Sequence, residues 1–143
     1  MSIGLSALRD AMEGGSPAII ATSSLDGEPN VSYVSDVYYV DERHLALSWQ
    51  FFSKTRRNVM ENPFARVLVV HAHTAARWRV LLQYLRTETE GPLFERMRAR
   101  LAGIASEQGM DDVFRLLGSD IYRVVAIEAV CAPSLPPPVR PCR

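Results

Sequence analysis

The sequence has no excess of charge of either sign. Its sixteen Lys and Arg residues are balanced by sixteen Asp and Glu residues, so the formal net charge is zero at pH 7. A protein that collects nucleic-acid phosphates needs a positive field, because counterion release supplies most of its non-specific affinity. The balance of charges therefore argues against a nucleic-acid partner.

Long apolar runs and cysteines are also scarce. No stretch reaches the roughly 20 apolar residues that span a bilayer, and the opening residues MSIGLSALRDAMEGG hold no basic region followed by an apolar segment. We therefore expect a cytoplasmic protein with no membrane partner. Cys131 and Cys142 lie among prolines, where they are poorly placed to cross-link a core or to act as a nucleophile.

What the chain does have is the composition of one folded domain. It holds 143 residues, of which 48% are hydrophobic and 22% charged, and domains most often hold roughly 100–150 residues. We expect the domain to cover residues 1–130. The proline-rich segment CAPSLPPPVRPCR, residues 131–143, predicts an extended tail or linker.

Short apolar segments, most of them rich in β-branched residues, predict a mainly β domain. We expect strands in PAIIATSS, in the Val- and Tyr-rich segment 30–40, in HLALSW, in ARVLVVHA, in RWRVLLQYLRTET and in IYRVVAIEAV. Short links between them favour antiparallel pairing, and closure of the strands on themselves would remove exposed edges. The expected fold is a six-stranded antiparallel β-barrel with helical attachments.

Apolar spacing and helix-stop residues predict the attachments. The first helix contains Leu5, Leu8 and Met12 and stops at Gly14. A second begins after Ser53 and ends at Asn62-Pro63. The third carries a stripe of Leu93, Phe94, Met97, Leu101 and Ile104 before Gly109, and a short fourth helix is expected in DDVFRLL.

The stretch Phe51-Phe52-Ser53-Lys54-Thr55-Arg56-Arg57-Asn58 places two hydroxyls and three cations around the start of the second helix. Unpaired backbone N–H groups and the helix dipole favour an anion at such a position. Lysine adds a mobile point charge, and arginine adds a planar fork that suits phosphate oxygens. The pattern indicates a site for a terminal phosphoester, and a capped surface helix is the alternative interpretation.

The segment SLDGEPNVSYVSDVYYVDERHLALSWQFFSKTRRNVMENPFARVLVV resembles the pyridoxamine 5'-phosphate oxidase-like flavin-binding split barrels. A strand, a G-x-P turn, further strands, a basic helix and Asn-Pro recur in that family in this order. The resemblance covers residues 16–84, with 121–129 as the closing strand. It implies a six-stranded antiparallel split barrel that forms a homodimer and binds FMN between its protomers.

The resemblance also implies which residues hold FMN. The positions at or beside the phosphate are Ser53, Lys54, Thr55 and Arg57. The residues beside the ring are Tyr33, Val34, Ser35 and Asp36 on one strand and Ser48, Trp49 and Gln50 on the next, and Arg77 corresponds to a polar residue that reaches the ring or the ribityl chain. The family's second phosphate-binding cation is Thr55 here, so the choice among Lys54, Arg56 and Arg57 stays open.

The function implied is that of an FMN-dependent oxidoreductase that passes electrons between a reduced nicotinamide and a small acceptor. The substrate-binding C-terminal segment of true pyridoxamine phosphate oxidases is not recognisable, so oxidation of vitamin B6 is not implied. Two alternatives stay open. One is a non-catalytic flavin- or ligand-sensing module of a larger regulatory protein, and the other is a split barrel that binds deazaflavin or haem.

His71 and His73 alternate onto one face of the strand VLVVHAH, a spacing that would suit two imidazole ligands of a metal or haem. No third ligand lies nearby in the sequence. We therefore expect these histidines to belong to the end of a hairpin.

Overall fold

One antiparallel sheet dominates the fold. The computed structural model describes residues 3–14, 16–50, 53–107, 109 and 115–130. The strands are β1 (Ala18–Ser23), β2 (Pro29–Val34), β3 (Val37–Asp41), β4 (His44–Trp49), β5 (Phe64–Val70), β6 (Arg77–Glu88) and β7 (Gly118–Val130). The helices are α1 (Arg9–Glu13), which follows a 3₁₀ turn over Leu5–Leu8, α2 (Lys54–Glu61) and α3 (Pro92–Glu107).

The strands follow the order β2-β1-β5-β6-β7-β4-β3 in a seven-stranded sheet, and every neighbouring pair is antiparallel. The edge strands β2 and β3 are consecutive in the chain, with only Ser35 and Asp36 between them. The sheet must therefore curl until its two edges meet at this link. The predicted fold class, a mainly β barrel with helical attachments, is confirmed.

The segment 30–40 forms two strands rather than one, which is why the sheet has seven strands and not six. The break falls at Ser35 and Asp36, where the Asp36 side chain turns inward and accepts a hydrogen bond from Nε of Arg100 at 2.9 Å. Among the described residues β2 and β3 form no ladder with each other. At this corner the barrel is closed by the chain itself rather than by a strand ladder.

Alternate residues of the strands fill the inside of the curl. Ile20, Leu45, Val67, Val80 and Leu82 are each at most 1% exposed. Full burial of such a side chain contributes roughly 1.5–3 kcal/mol. The first helical segment adds Leu5, Leu8 and Met12 to this core, and α2 adds Val59.

A second, smaller core lies between α3 and the outer face of the sheet. Leu93, Met97 and Leu101 of α3 pack against Ala46 of β4 and Ile121 of β7. Ala46 and Ile121 are directly paired across the two strands, so α3 covers the ladder β4-β7. The predicted apolar stripe of this helix is confirmed at Leu93, Met97 and Leu101, with Phe94 packed at its margin. Ile104 is only half-buried and lies outside this cluster.

Several predictions fall outside the described residues. They include residues 111–114 of the short helix predicted in DDVFRLL, both cysteines and the tail 131–143. Residues 115–117 are described and form neither helix nor strand. Within the described part of the chain no helix is long and apolar enough to cross a membrane.

Candidate functional site

A cleft of about 420 Å³ opens beside the β2–β3 corner. One side is the end of β2 and the other is the end of β4, while α2 and β7 close it from within. Its lining consists of Pro17, Ile20, Ser32, Tyr33, Val34, Ser35, Leu47, Ser48, Trp49, Gln50, Ser53, Thr55, Arg56, Asp120 and Tyr122. Small-molecule sites commonly enclose about 300–1,000 Å³, so the cleft is large enough to hold a ligand.

Most of the residues that the sequence predicted for the site meet in this cleft. They are Tyr33, Val34, Ser35, Ser48, Trp49, Gln50, Ser53 and Thr55. The strand order explains this convergence, since β2 and β4 approach each other only through the curl of the whole sheet. The segments 33–35 and 48–50, which are 13 residues apart in the chain, thereby form one surface.

Two of the predicted cations lie outside the cleft because of the periodicity of α2. Thr55, Arg56 and Val59 share the side of the helix that faces the protein, whereas Lys54 and Arg57 are exposed on the other side. Lys54 is paired with the carboxylate of Glu28. The sequence left open which of Lys54, Arg56 and Arg57 would contact a phosphate. Of these three cations of α2, Arg56 is the one that lines the cleft.

Asp36 and Arg77, also predicted for the site, do not line the cleft either. Asp36 is 3% exposed and lies beneath the β2–β3 corner in an ion pair with Arg100 of α3. Arg77 is exposed at the start of β6, where it pairs with Val130. The cleft lies near the opposite end of β6, where Thr87 pairs with Asp120. The position of Arg77 therefore gives no support for a role at the cleft of its own protomer.

The guanidinium of Arg56 is fixed from three sides. Its Nη1 donates to Oδ1 of Asp120 at 2.6 Å, and Nη1 and Nη2 each lie 3.3 Å from Oγ1 of Thr87. Its Cζ lies 3.6 Å from the ring centroid of Trp49, a cation–π geometry. The side chains of Arg56 and Asp120 are 17% and 9% exposed, so the pair is largely removed from water.

Asp120 receives a second hydrogen bond, which ties the pair to the inner strands. Thr87 donates to the same oxygen of Asp120 at 2.5 Å and shares a hydrogen bond of 2.6 Å with the hydroxyl of Tyr84. Burial raises the pKa of the neighbouring Tyr122 phenol far above its usual range, and the charge of Asp120 adds to the shift. Tyr122 therefore remains protonated and neutral.

Hydroxyl groups anchor the start of α2. Ser53 accepts a hydrogen bond from the backbone N–H of Arg56 at 3.2 Å and so caps the helix as predicted. Thr55 Oγ1 accepts from Nδ2 of Asn30 at 2.8 Å and lies 2.8 Å from Oγ of Ser32. Helix geometry leaves the first backbone N–H groups without an intrahelical acceptor, so the fixed helix start offers donors to an anion.

Gln50 bridges the two sides of the cleft. Its Nε2 donates to Oγ of Ser35 at 2.6 Å and to Oγ of Ser48 at 3.1 Å. Its Oε1 is buried and has no hydrogen-bond partner within the described ranges. The two serines are therefore held in place by one amide from β4's end.

Sequence reasoning missed Asp120, Tyr122 and Ser32, and it did not select Arg56. The signal for Asp120 was strand alternation, because β7 begins at Gly118 and places Asp120 on the same face as the core residue Tyr122 and the partly buried Val124. The signal for Arg56 was its spacing of three residues from Val59, the buried apolar residue of α2. No comparable signal marked Ser32.

The three histidines of the sequence all lie away from the cleft lining. His44 Nδ1 is 2.9 Å from a carboxylate oxygen of Asp41. At the β5–β6 hairpin His71 Nδ1 accepts hydrogen bonds from the backbone N–H groups of His73 and Thr74, each at 3.2 Å. The hairpin position expected for His71 and His73 is confirmed, and the described residues contain no cluster of three or more possible metal ligands.

A curled antiparallel sheet with a cleft at its split defines a split-barrel protein. Residues 6–127 match the sequence model of the pyridoxamine 5'-phosphate oxidase family, and the chain belongs to this family. Comparison with curated proteins gives no match.

Solved structures show the same fold. An FMN-binding protein of Syntrophomonas wolfei subsp. wolfei superimposes with a TM-score of 0.76 at 18% identity, over 90% of this chain and 86% of that one. An F420 reductase gives 0.59 at 15% identity, over 86% and 94% of the two chains. HutZ, a haem storage protein of Vibrio cholerae, gives 0.59 at 16% identity, over 90% and 95%.

Proposed function

We propose that the chain binds FMN in the cleft at the split of the barrel and serves as an oxidoreductase that passes electrons from a reduced nicotinamide to a small acceptor. The observation that carries the proposal is that the cleft joins a helix start with anion donors to a broad surface of strand residues. FMN has a matching form, with a phosphate at one end and a flat ring at the other. FMN supplies the electron-carrying chemistry when bound, and the protein orients it.

The start of α2 is the end of the cleft that suits the phosphate. Ser53 and Thr55 present hydroxyls there, and Arg56 lies beside these two residues. The first backbone N–H groups of α2 point away from the helix body toward its N-terminal end. Fixed donors of this kind hold a phosphate without further ordering of the protein. Lys54 and Arg57 lie outside the cleft lining, so we assign them a longer-range contribution at most.

The ends of β2 and β4 suit the ring. Val34 and Leu47 offer apolar contacts, and Ser35, Ser48 and Gln50 offer hydrogen-bonding groups along its edge. This mixture of apolar surface and a few placed polar groups is typical of cofactor sites. Tyr33 contributes from the rim, since it lines the cleft and is also 79% exposed.

We further propose that a second copy of the chain completes the site. The outward side of β2 presents Val31 at 65% exposure and Tyr33 at 79%. Their cross-strand neighbours on β1 are Ala21 and Ile19, so an apolar surface continues from the cleft across the sheet. A two-fold interface would cover this surface and bring the partner to the mouth of the cleft.

The dimer has a direct test. Val31→Asp places a charge in the proposed interface and should yield a monomer with weaker FMN binding, measured by light scattering and by flavin titration. The matched control is Val125→Asp on β7, an exposed valine four strand positions away in the sheet. Equal masses for both variants and the parent protein would contradict the proposed interface.

Flavin is favoured over haem by the positions of the histidines. All three lie outside the cleft lining, and each of His44 and His71 is held by local hydrogen bonds. A haem in this cleft would lack an imidazole ligand from the same protomer. The absorption spectrum of the purified protein distinguishes the two cofactors.

The phosphate end is tested by titrating FMN and riboflavin into three proteins: the parent, Arg56→Gln and the double variant Lys54→Ala/Arg57→Ala. A charged hydrogen bond contributes roughly 1.5–3 kcal/mol, so Arg56→Gln should weaken FMN binding about tenfold or more. Riboflavin lacks the phosphate and should bind all three proteins alike, which makes it the control for general damage. The double variant should show the smaller loss of FMN affinity.

The outcomes separate the parts of the proposal. Failure of the parent protein to bind either flavin would overturn it, and equal FMN affinity in all three proteins would remove the phosphate from the start of α2. Addition of a reduced nicotinamide to the FMN-bound protein should bleach the visible flavin bands. Bound flavin that stays oxidised with every nicotinamide donor would contradict the enzymatic role and favour a sensing module.

A further inference from the structure

The cleft contains one charge of each sign. Among the described residues that line it, Arg56 is the cation and Asp120 the carboxylate, while the others are polar or apolar without charge. The start of α2 therefore does not present an uncompensated cation from within the cleft. This is unexpected for a site that selects a dianionic phosphate.

The two charges are close and poorly solvated. Nη1 of Arg56 lies 2.6 Å from Oδ1 of Asp120, and the two side chains are 17% and 9% exposed. Charges interact more strongly where water is excluded. An anion that contacts the guanidinium of Arg56 must lie within a few ångströms of Asp120, because one planar group would face both.

We propose that Asp120 is a specificity-determining residue that reduces the preference of the cleft for a phosphorylated flavin over its unphosphorylated form. The inference rests on the proposed binding of FMN. Asp120 offsets part of the attraction between Arg56 and the phosphate by direct repulsion and by pairing with the cation. The neutral donors Ser53 and Thr55 and the helix N–H groups then supply a larger share of the affinity.

Asp120→Asn isolates the charge from the geometry. An asparagine Oδ1 accepts the same hydrogen bonds from Arg56 and Thr87 that the carboxylate accepts now. Arg56 also keeps its stacking on Trp49 at 3.6 Å. The guanidinium should therefore stay in place while one negative charge leaves the cleft.

The experiment measures the dissociation constants of FMN and riboflavin for the parent and for Asp120→Asn, and compares their ratios. The preference for FMN should rise on the order of tenfold in the variant, a typical effect of removing a nearby like charge at a partly buried site. The rise should shrink at high salt. The matched control is Glu28→Gln, since Glu28 pairs with Lys54 but is 63% exposed and lies outside the cleft; its ratio should change less than about twofold.

A second comparison keeps the test decisive if Asp120→Asn does not fold. Arg56→Gln leaves Asp120 as the remaining charge, and Arg56→Gln with Asp120→Asn removes both, so the double variant should prefer FMN more strongly than the single one. An FMN preference that is unchanged or lower on loss of the Asp120 charge overturns the inference while leaving FMN binding intact. A parent protein that binds neither flavin overturns the proposed function itself.

Discussion

Nε2 of Gln50 lies 2.6 Å from Oγ of Ser35, and this hydrogen bond joins the two sides of the cleft. Ser35 follows edge strand β2, and Gln50 follows β4, whose partner β3 is the other edge. A side-chain contact thus spans a gap that no described backbone ladder closes. The bond is therefore one of the contacts that hold the two walls of the cleft together.

This contact should show measurable coupling in a double-mutant cycle of Ser35→Ala and Gln50→Ala. A hydrogen bond between neutral groups contributes about 0.5–1.5 kcal/mol to stability, and contacting residues depart from additivity by a similar amount. Urea unfolding of the four proteins gives the coupling. Strict additivity would mean that the bond contributes nothing to holding the walls together.

Asn58→Ala should lower the free energy of unfolding by about 1–3 kcal/mol, the usual cost of leaving a buried polar partner unsatisfied. Nδ2 of Asn58 donates to Oγ1 of Thr22 at 3.1 Å, and the two residues are 2% and 6% exposed. The bond ties α2 to β1. Glu61→Ala, at an exposed position of the same helix, is the control and should change stability by less than about 0.5 kcal/mol.

Asp36→Asn should reveal a pH dependence of known sign. Burial raises the pKa of the Asp36 carboxyl, and the charge of Arg100 opposes the shift without cancelling it. The folded protein therefore binds this proton more tightly than the unfolded chain does. The stability that this provides is fully present below the pKa of the unfolded chain and is lost as pH rises through the folded pKa.

The measurement is urea unfolding of the parent and Asp36→Asn at intervals from about pH 7 to about pH 4. The difference in unfolding free energy, parent minus variant, should move in favour of the parent as the pH falls. Other titrating groups contribute to both proteins and cancel in the difference. Movement in the opposite direction would show that the pairing with Arg100 dominates over burial.

Gly118→Ala should destabilise the fold and disturb the cleft together. A Cβ at this position would lie 2.7 Å from Cγ2 of Thr87 and 2.8 Å from Cε3 of Trp49, and overpacking of this kind costs about 1–3 kcal/mol. Displacement of Trp49 would also move the ring that stacks on Arg56. Unfolding and FMN titration would both register the change.

The control for this variant is Gly103→Ala in α3, where an added Cβ meets no atom within 4 Å. Alanine favours a helix over glycine by about 1 kcal/mol, so this variant should be at least as stable as the parent. Equal stability losses at both glycines would contradict the packing argument.

The strands could be predicted because their signals are local. Runs rich in β-branched or other apolar residues marked six strand segments, and the cap at Ser53 and the stop at Asn62-Pro63 marked α2. The break at Ser35 and Asp36 could not, because Asp36 is buried there in an ion pair with Arg100, which is 64 residues away in the chain. A local sequence pattern does not show which distant residue a buried carboxylate will pair with.

The candidate site was predicted in the same uneven way. The strand residues of the cleft followed from the family resemblance, but the choice among the cations required knowing which side of α2 faces the barrel. Arg56 and its partner Asp120 are likewise 64 residues apart. Their pairing depends on how the sheet curls, which is a property of all its strands together.

The two-residue link between β2 and β3 makes the opening of the barrel adjustable at one place. Ser35 and Asp36 connect the two edge strands of the sheet. In the described chain, neither residue belongs to a strand ladder. An insertion between these two residues would lengthen the link between β2 and β3 and would leave the pairing register of every strand unchanged. A longer link at this point would therefore change the separation of the two cleft walls without shifting any strand pairing.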